Sequence, residues 1–259
     1  MVSHLVIPDA HATPAHNNDR FDLLGRMIIE EKPDKIICIG DFADMASLSS
    51  YDKGKKSFEG RRYQRDVEAC VDAQQRLFAP MNEYNQRQRK NGKAQYKPEL
   101  IMVIGNHEVR INRVSESSPE LDGVLSIKDL KFEEFGWKVN DFLSPVNVDG
   151  VLYNHYFISG VMGRAIGGEH SAYSMINKIH NSCVAGHSHI RDYCERTTPE
   201  GKRIQAMVVG CYLDEDQWEN YAGEANKLWW RGTVMLYNVK EGNYDHEWFS
   251  IGRMKQIYK

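Results

Sequence analysis

Asp9-Ala10-His11, Gly40-Asp41-Phe42-Ala43-Asp44, Gly105-Asn106-His107-Glu108, Asn154-His155 and Gly186-His187-Ser188-His189 gather carboxylate, amide and imidazole side chains in five short stretches. The donors they offer are nitrogen and oxygen, without thiolate. Such a set suits Mn²⁺, iron or Zn²⁺, with coordination positions left open for water and substrate. In Asp9-x-His11 and His187-x-His189, residues two apart on an extended chain point the same way, so each pair can reach one cation. Asp41 offers two carboxylate oxygens and suits a bridge between two cations. Two metal ions about 3.5–4 Å apart can generate a hydroxide and clamp both oxygens of an in-line phosphoryl displacement. No recognisable nucleophile motif competes with that chemistry.

Each stretch follows an apolar run: Leu5-Val6-Ile7, Ile36 to Ile39, Leu100 to Ile104, Val151-Leu152-Tyr153 and Cys183-Val184-Ala185. Short continuous apolar runs bounded by Gly or Pro read as buried strands. In open α/β sheets, ligands collect beyond the carboxyl ends of such strands. One metal site assembled from five strand ends is the economical reading. Between the first two runs, Phe21, Leu24, Met27 and Ile28 predict a helix over 19–31 that Pro33 closes, giving a parallel strand–helix–strand unit. Tyr63, Val67, Cys70, Leu77, Met81 and Tyr84 predict a long helix or helix pair over 60–90, broken or kinked at Pro80. A polar region follows Asn106. A short helix is expected near 128–135, and strands at 137–139 and 146–156 about an Asp149-Gly150 turn. Gly-rich 159–168 precedes a helix at 169–180, and the last third alternates strands at 192–197, 203–209, 232–239 and 244–250. The order predicts an α/β fold with helices flanking two mixed sheets.

A chain of 259 residues, 41% hydrophobic and 27% charged, is an ordinary globular composition long enough for a full core. It reads as a single domain over 1–259 carrying a basic helical insertion at about 50–98. No run approaches the roughly 18 apolar residues of a membrane span, and no basic-then-apolar leader precedes Leu5. A membrane partner is therefore not expected. Five cysteines, odd in number and without C-x-x-C spacing, fit reduced thiols in a cytoplasmic compartment. The net charge of −3 is unevenly spread: Lys53 to Lys97 holds twelve Lys/Arg against five acids. That segment has two readings. It is a nucleic-acid surface with Phe58, Tyr63 and Tyr84 for stacking, or a charged amphipathic helix whose aromatics face the core, which is the favoured one.

The ordered set Asp9-x-His11, Gly40-Asp41-x-x-Asp44, Gly105-Asn106-His107-Glu108, His155 and Gly186-His187-x-His189 resembles the calcineurin-like metallophosphoesterase superfamily. The resemblance implies a four-layer αββα sandwich and two divalent cations, with Mn²⁺ expected and Fe, Zn²⁺ or Ni²⁺ as alternatives. One cation would take Asp9, His11, Asp41 and His189. The other would take Asp41, Asn106, His155 and His187. The implied reaction is hydrolysis of a phosphomonoester or phosphodiester by direct attack of a metal-bridging hydroxide. His107 would protonate the leaving oxygen, and Asp44 would orient His107 and raise its pKa. Glu108 would support the loop.

Against compact members, the stretch between Asp41 and Asn106 is long and basic. With Gly163-Arg164 and Trp229 to Gly232, it looks closest to bacteriophage-encoded members. Arg164, in its Gly-rich loop, and Arg110 are candidate phosphate contacts, with Arg113 one helical turn beyond Arg110, where surface pairing competes. The tryptophans at 218, 229 and 230 read as core packing, with a pocket wall as the alternative. His4, His16, His170, His180 and His246 match no motif. Two further functions stay open: a nuclease acting on DNA or RNA with the basic insertion as its backbone-binding surface, and a catalytically inactive protein-binding member of the family.

Overall fold

Alternation inside the apolar runs decides the layering. Leu5 and Ile7 join one cluster of buried side chains while Val6 joins another. Ile36 and Cys38 part from Ile37 and Ile39 in the same way, as do Leu100 and Met102 from Ile101. Successive strand side chains point to opposite faces, so these strands are buried on both.

The computed structural model describes residues 2–258. In chain order the elements are β1 (Val2–Ile7), α1 (Asp19–Glu31), β2 (Lys35–Cys38), α2 (Tyr63–Lys90), β3 (Glu99–Val103), α3 (Val109–Ser117), β4 (Lys138–Asn140), β5 (Val146–Val148), β6 (Val151–Tyr153), β7 (Ile158–Ser159), β8 (Arg164–Ala165), α4 (Ser171–Ile179), β9 (Cys183–Ala185), β10 (Arg191–Thr197), β11 (Arg203–Val209), β12 (Gly232–Lys240), β13 (Asn243–Ser250) and α5 (Ile251–Ile257). One sheet runs β13-β12-β1-β2-β3-β4 and the other β10-β11-β9-β6-β5. β1 to β4 pair in parallel and β12–β13 antiparallel. The second sheet is also mixed, with β6–β9 and β9–β11 parallel. Residues from α1, α2, α3 and α5 pack on the outer face of the first sheet. Ala172, Met175 and Ile176 of α4 cover the second. Val6, Ile37, Val184, Met207 and Val234 fill the space between the sheets. This is the four-layer αββα order expected from the motifs.

The basic segment provides α2, the crossover that parallel β2 and β3 require, and α2 lies against α1. Pro80 does not break it; the helix runs on to Lys90. Gly25 of α1 explains how the site is tolerated, since a side chain there would collide with the Leu77 carbonyl and the Pro80 ring. Close packing of the two helices offsets the hydrogen bond that Pro80 removes. The polar region after Asn106 proved to contain a helix, α3, and the helix expected near 128–135 is two 3-10 turns, Ile127–Leu130 and Glu133–Phe135.

His4, taken as ordinary, joins the two sheets. It is fully buried, with Nδ1 2.7 Å from the Tyr153 hydroxyl and Nε2 2.9 Å from Asp149 Oδ2. Asp149 sits in the expected Asp-Gly turn, both residues at positive φ, and also binds Lys35 Nζ at 2.7 Å. Burial holds the His4 pKa below its ordinary value, against the pull of Asp149. The unfolded chain therefore takes up this proton first as pH falls. His4 costs nothing above its unfolded pKa of about 6.5, and stability is lost as pH drops from there toward the lower folded value. Melting temperatures measured from pH 7 to pH 5 should fall less steeply for His4→Gln than for the wild type.

Candidate metal centre

β1, β2 and β3 run parallel, so the loops after them leave the same edge of the sheet. Two of these loops are zipped together beyond the strands: His11 N–H donates to Asp41 O at 2.9 Å, Ala12 N–H to Phe42 O at 2.7 Å, and Asp44 N–H to Ala12 O at 3.0 Å. The backbone then turns sharply. His11, Asp41, His187 and His189 have φ of 43°, 51°, 69° and 59°, in the left-handed region that costs a non-glycine residue roughly 1–2 kcal/mol. The extended-chain argument for the two spaced pairs thus fails, because these residues lie past the strand ends. Its consequence differs for each pair. Asp9 and His11 do converge, together with His189; His187 instead joins Asp41 and His155.

Buried groups hold the loops in this shape. The Glu108 carboxylate accepts from Asp41 N–H at 3.0 Å, Gly105 N–H at 2.9 Å and Ala43 N–H at 2.9 Å. Burial and the nearby Asp41 charge push its pKa up to about 7. Arg20, 2% exposed, donates to Ala10 O at 2.7 Å and Tyr212 O at 3.1 Å, clamping the Asp9–His11 loop from behind. Gly105 and Gly186 are required by contact: a Cβ at the first would strike Asp41, and at the second Asp9 Oδ1.

Asp41 is the hub. Its Oδ1 accepts from His107 N–H at 2.9 Å; its Oδ2 lies 3.3 Å from His155 Nε2 and 3.7 Å from both His11 Nε2 and His107 Nε2. Asn106 Oδ1 is 2.8 Å from His155 Nε2. Asp9 Oδ2 is 3.0 Å from His189 Nε2 and accepts from His187 N–H at 2.9 Å. Burial alone would favour a neutral Asp41, but His107, His155 and His11 outweigh it and hold the carboxyl well below the usual range. Burial likewise opposes a charged His155, yet Asp41 raises its pKa to about 9. His187, exposed at its edge but partly desolvated beside the His155 charge, falls to about 4. Asp9 Oδ1, both ring nitrogens of His11 and Nδ1 of His189 are buried without hydrogen-bond partners, an arrangement that is costly unless another ligand engages them.

His107 Nδ1 stands 3.0 Å from Asp44 Oδ1 and 3.0 Å from Asp44 O, both acceptors. Arg110 Nη2 donates to His107 Nε2 at 2.9 Å, which fixes the neutral tautomer with its proton on Nδ1. The expected rise in the His107 pKa does not occur. Burial, with His11 and Arg110 alongside, outweighs Asp41 and Asp44 and lowers it.

The family description "calcineurin-like phosphoesterase" matches this chain over residues 4–250. The chain belongs to the calcineurin-like phosphoesterase family. No curated protein sequence matches it. The solved structure of YfcE, a phosphoesterase from E. coli, aligns with 96% of this chain and 100% of its own at 11% identity and a TM-score of 0.39. As a calcineurin-like phosphoesterase the protein is a metal-dependent phosphoric ester hydrolase of a dinuclear class, and its Asp/His clusters are compatible with that centre. Among the described residues no helix is long and apolar enough to cross a membrane.

Around the centre of this calcineurin-like phosphoesterase, the structure brings together Asp9, His11, Asp41, Asp44, Asn106, His107, Arg110, His155, His187 and His189. Arg164 stays outside: β7 and β8 form an exposed hairpin, and Arg164 lines neither cavity at the centre. Arg113 does line one. Two participants, Glu219 and Tyr221, escaped the sequence reading, and a third, Trp229, was read first as core with a pocket wall as the alternative. Glu219 Oε1 is 3.6 Å from His11 Nδ1 and is fixed by Asn226, whose side chain bonds the Glu219 backbone N–H and O at 3.0 and 2.8 Å. Tyr221 stands near His107, and the Trp229 ring meets His189 edge-on at 4.1 Å. All three lie in the irregular 210–231 segment, where no periodicity marks them; Trp229 is a pocket wall, not core.

Proposed function

We propose that the whole chain acts as one phosphoesterase domain that hydrolyses phosphomonoesters or phosphodiesters at a pair of divalent cations, Mn²⁺ by preference. Asp9, His11, Asp41 and His189 would hold one cation, and Asp41, Asn106, His155 and His187 the other. The carrying observation is that Asp9, His11 and His189 form one cluster and Asp41, His155 and His187 another, with His11 beside Asp41, and that buried oxygen and nitrogen atoms of Asp9, His11 and His189 lack hydrogen-bond partners in the protein. The donor set suits Mn²⁺, iron or zinc. Bound there, two cations supply an activated water and neutralise charge developing on the phosphoryl oxygens.

The residues do the rest. His107 gives a proton from Nε2 to the leaving oxygen, with Asp44 holding the ring through Nδ1. That role requires the Arg110 guanidinium to leave Nε2 and this nitrogen to take up a proton first, making the ring an imidazolium; an anionic phosphate offers the guanidinium a stronger partner than a neutral imidazole and favours the charged ring. Glu219 sets the orientation of His11, the usual task of a carboxylate behind a metal-binding imidazole. Glu219→Gln should weaken Mn²⁺ binding roughly 10- to 100-fold by calorimetry, with little change in the melting temperature of the metal-free protein.

The reading is tested by removing metal with chelator, restoring Mn²⁺, and measuring both metal content and turnover of an aryl monophosphate and a bis-aryl phosphate. About two bound ions per chain and Mn²⁺-dependent hydrolysis are expected. Full metal occupancy with no hydrolysis of either ester would overturn the small-ester reading.

A further inference from the structure

Two cavities meet over the candidate metal centre, and they differ in kind. One, of about 500 Å³, is walled by Tyr221 and Trp229, with Ala222 and Ala225 beside them. The other, of about 350 Å³, is lined by Lys53, Arg110 and Arg113. Asn106, His187, Tyr51 and Arg110 belong to both, so the metal centre lies at the seam.

On the aromatic side, Tyr221 is 51% exposed, and Tyr51 at the seam is 78% exposed. The Tyr221 and Trp229 rings are 6.1 Å apart and inclined at 44°. Trp229 is locked from behind, for Trp230 N–H donates to His189 O at 3.0 Å and the ring edge rests on His189. Rigid aromatic faces held half in solvent fit a flat ring that stacks on them. On the cationic side, Lys53 and Arg113 make no ion pair among the described residues; Arg61 and Arg76 are spent on Asp52 and on Asp19, Asp22 and Asp72, and the unpaired Arg65, Arg87, Arg89 and Lys90 of α2 line neither cavity. The aromatics of that region are spent as well: Tyr63 donates to Asp129 at 2.6 Å, and Tyr84 accepts from Lys32 at 3.0 Å.

We infer, resting on the phosphoesterase reading above, that the substrate is an unpaired nucleic-acid strand. One nucleobase stacks on Tyr221 and Trp229, the scissile phosphodiester sits at the seam, and the neighbouring phosphate meets Lys53 and Arg113. Water adds to phosphorus, one P–O ester bond breaks, and the leaving oxygen takes a proton, yielding a terminal phosphomonoester and a hydroxyl. A phosphomonoester ends at the seam and leaves the cationic cavity unused. A duplex keeps its bases stacked on each other and presents no face to Tyr221. The strand reader is thus the wall of the cleft, and helix α2 is scaffold.

The test compares Mn²⁺-loaded protein on bis-aryl phosphate, thymidine 5′-monophosphate, and short single-stranded and duplex oligonucleotides of DNA and RNA. Cleavage of a single strand with kcat/KM well above that for bis-aryl phosphate is expected, whichever sugar is preferred. Tyr221→Ala and Trp229→Ala should each raise KM for the strand roughly tenfold or more. Lys53→Ala with Arg113→Ala should flatten the log–log dependence of KM on salt by about 1.4, the share of two phosphate contacts on a single strand. Metal content checks that each variant keeps its centre. Turnover of bis-aryl phosphate with no cleavage of any strand overturns the inference and leaves the phosphoesterase reading intact. Preference for duplex or for the monophosphate overturns it equally. Failure on every ester, with metal bound, removes both.

Discussion

Asp41→Ala is expected to cost roughly 10³-fold or more in turnover of an aryl phosphate, about 4 kcal/mol at 1.36 kcal/mol per tenfold. Asp41 belongs to two of the candidate ligand clusters. Its Oδ2 lies within 3.7 Å of His11, His107 and His155, and its Oδ1 holds the His107 amide. Alanine removes the carboxylate common to both proposed cation sites, so Mn²⁺ content should fall along with rate, and excess Mn²⁺ should not restore it. Asp41→Asn separates charge from shape. It can still accept the His107 N–H bond, but three imidazoles lose a neighbouring anion, so the metal loss should persist while the fold is kept. Metal analysis alongside steady-state kinetics reads both. Wild-type activity in Asp41→Ala with full metal content would remove Asp41 from the centre.

The sheets were legible because apolar runs buried on both faces need no tertiary information to be read as strands: Ile36 to Ile39 and Leu100 to Ile104 carry it by themselves. The candidate ligands were legible for a related reason. A polar residue just after such a run is placed at the sheet edge by the strand itself. The pairing of ligands was legible from the resemblance, which gave His187 and His189 to different cations, but not from their spacing. His187 and His189 part company because each sits in left-handed backbone, and two-residue spacing says nothing about that. Glu219 and Arg20 were invisible for a different reason. They act from far along the chain on groups brought near only by folding: Glu219 on His11, Arg20 on the carbonyls of Ala10 and Tyr212. Pro80 does not end the helix because the local rule against proline was outweighed by the contact with Gly25, some 55 residues earlier. Likewise, composition flagged the basic segment, but its ion pairs with Asp19, Asp22, Asp52 and Asp72 appear only in three dimensions.

His107→Ala should lower kcat by roughly 10²- to 10⁴-fold, the ordinary weight of a general acid, and the loss should depend on the leaving group. An alkyl or phenyl ester departs as a basic oxygen that needs a proton and should lose the most. A nitrophenyl ester departs as a stable anion and should lose the least. This gradient separates proton donation from a merely structural role, which would depress all esters alike. Metal content should stay near wild type, because His107 meets the centre through a backbone N–H that alanine retains. Asp44→Asn should follow the same gradient at smaller amplitude, since the amide can still accept the Nδ1 proton at the position now 3.0 Å away but no longer stabilises a charged imidazole. Equal losses for nitrophenyl and alkyl esters in His107→Ala would show that the proton reaches the leaving oxygen by another route. Arg110 supplies the internal check. It occupies Nε2 at 2.9 Å, so Arg110→Ala frees that nitrogen while removing a proposed phosphate contact; KM should rise, and the leaving-group gradient should stay as in the wild type.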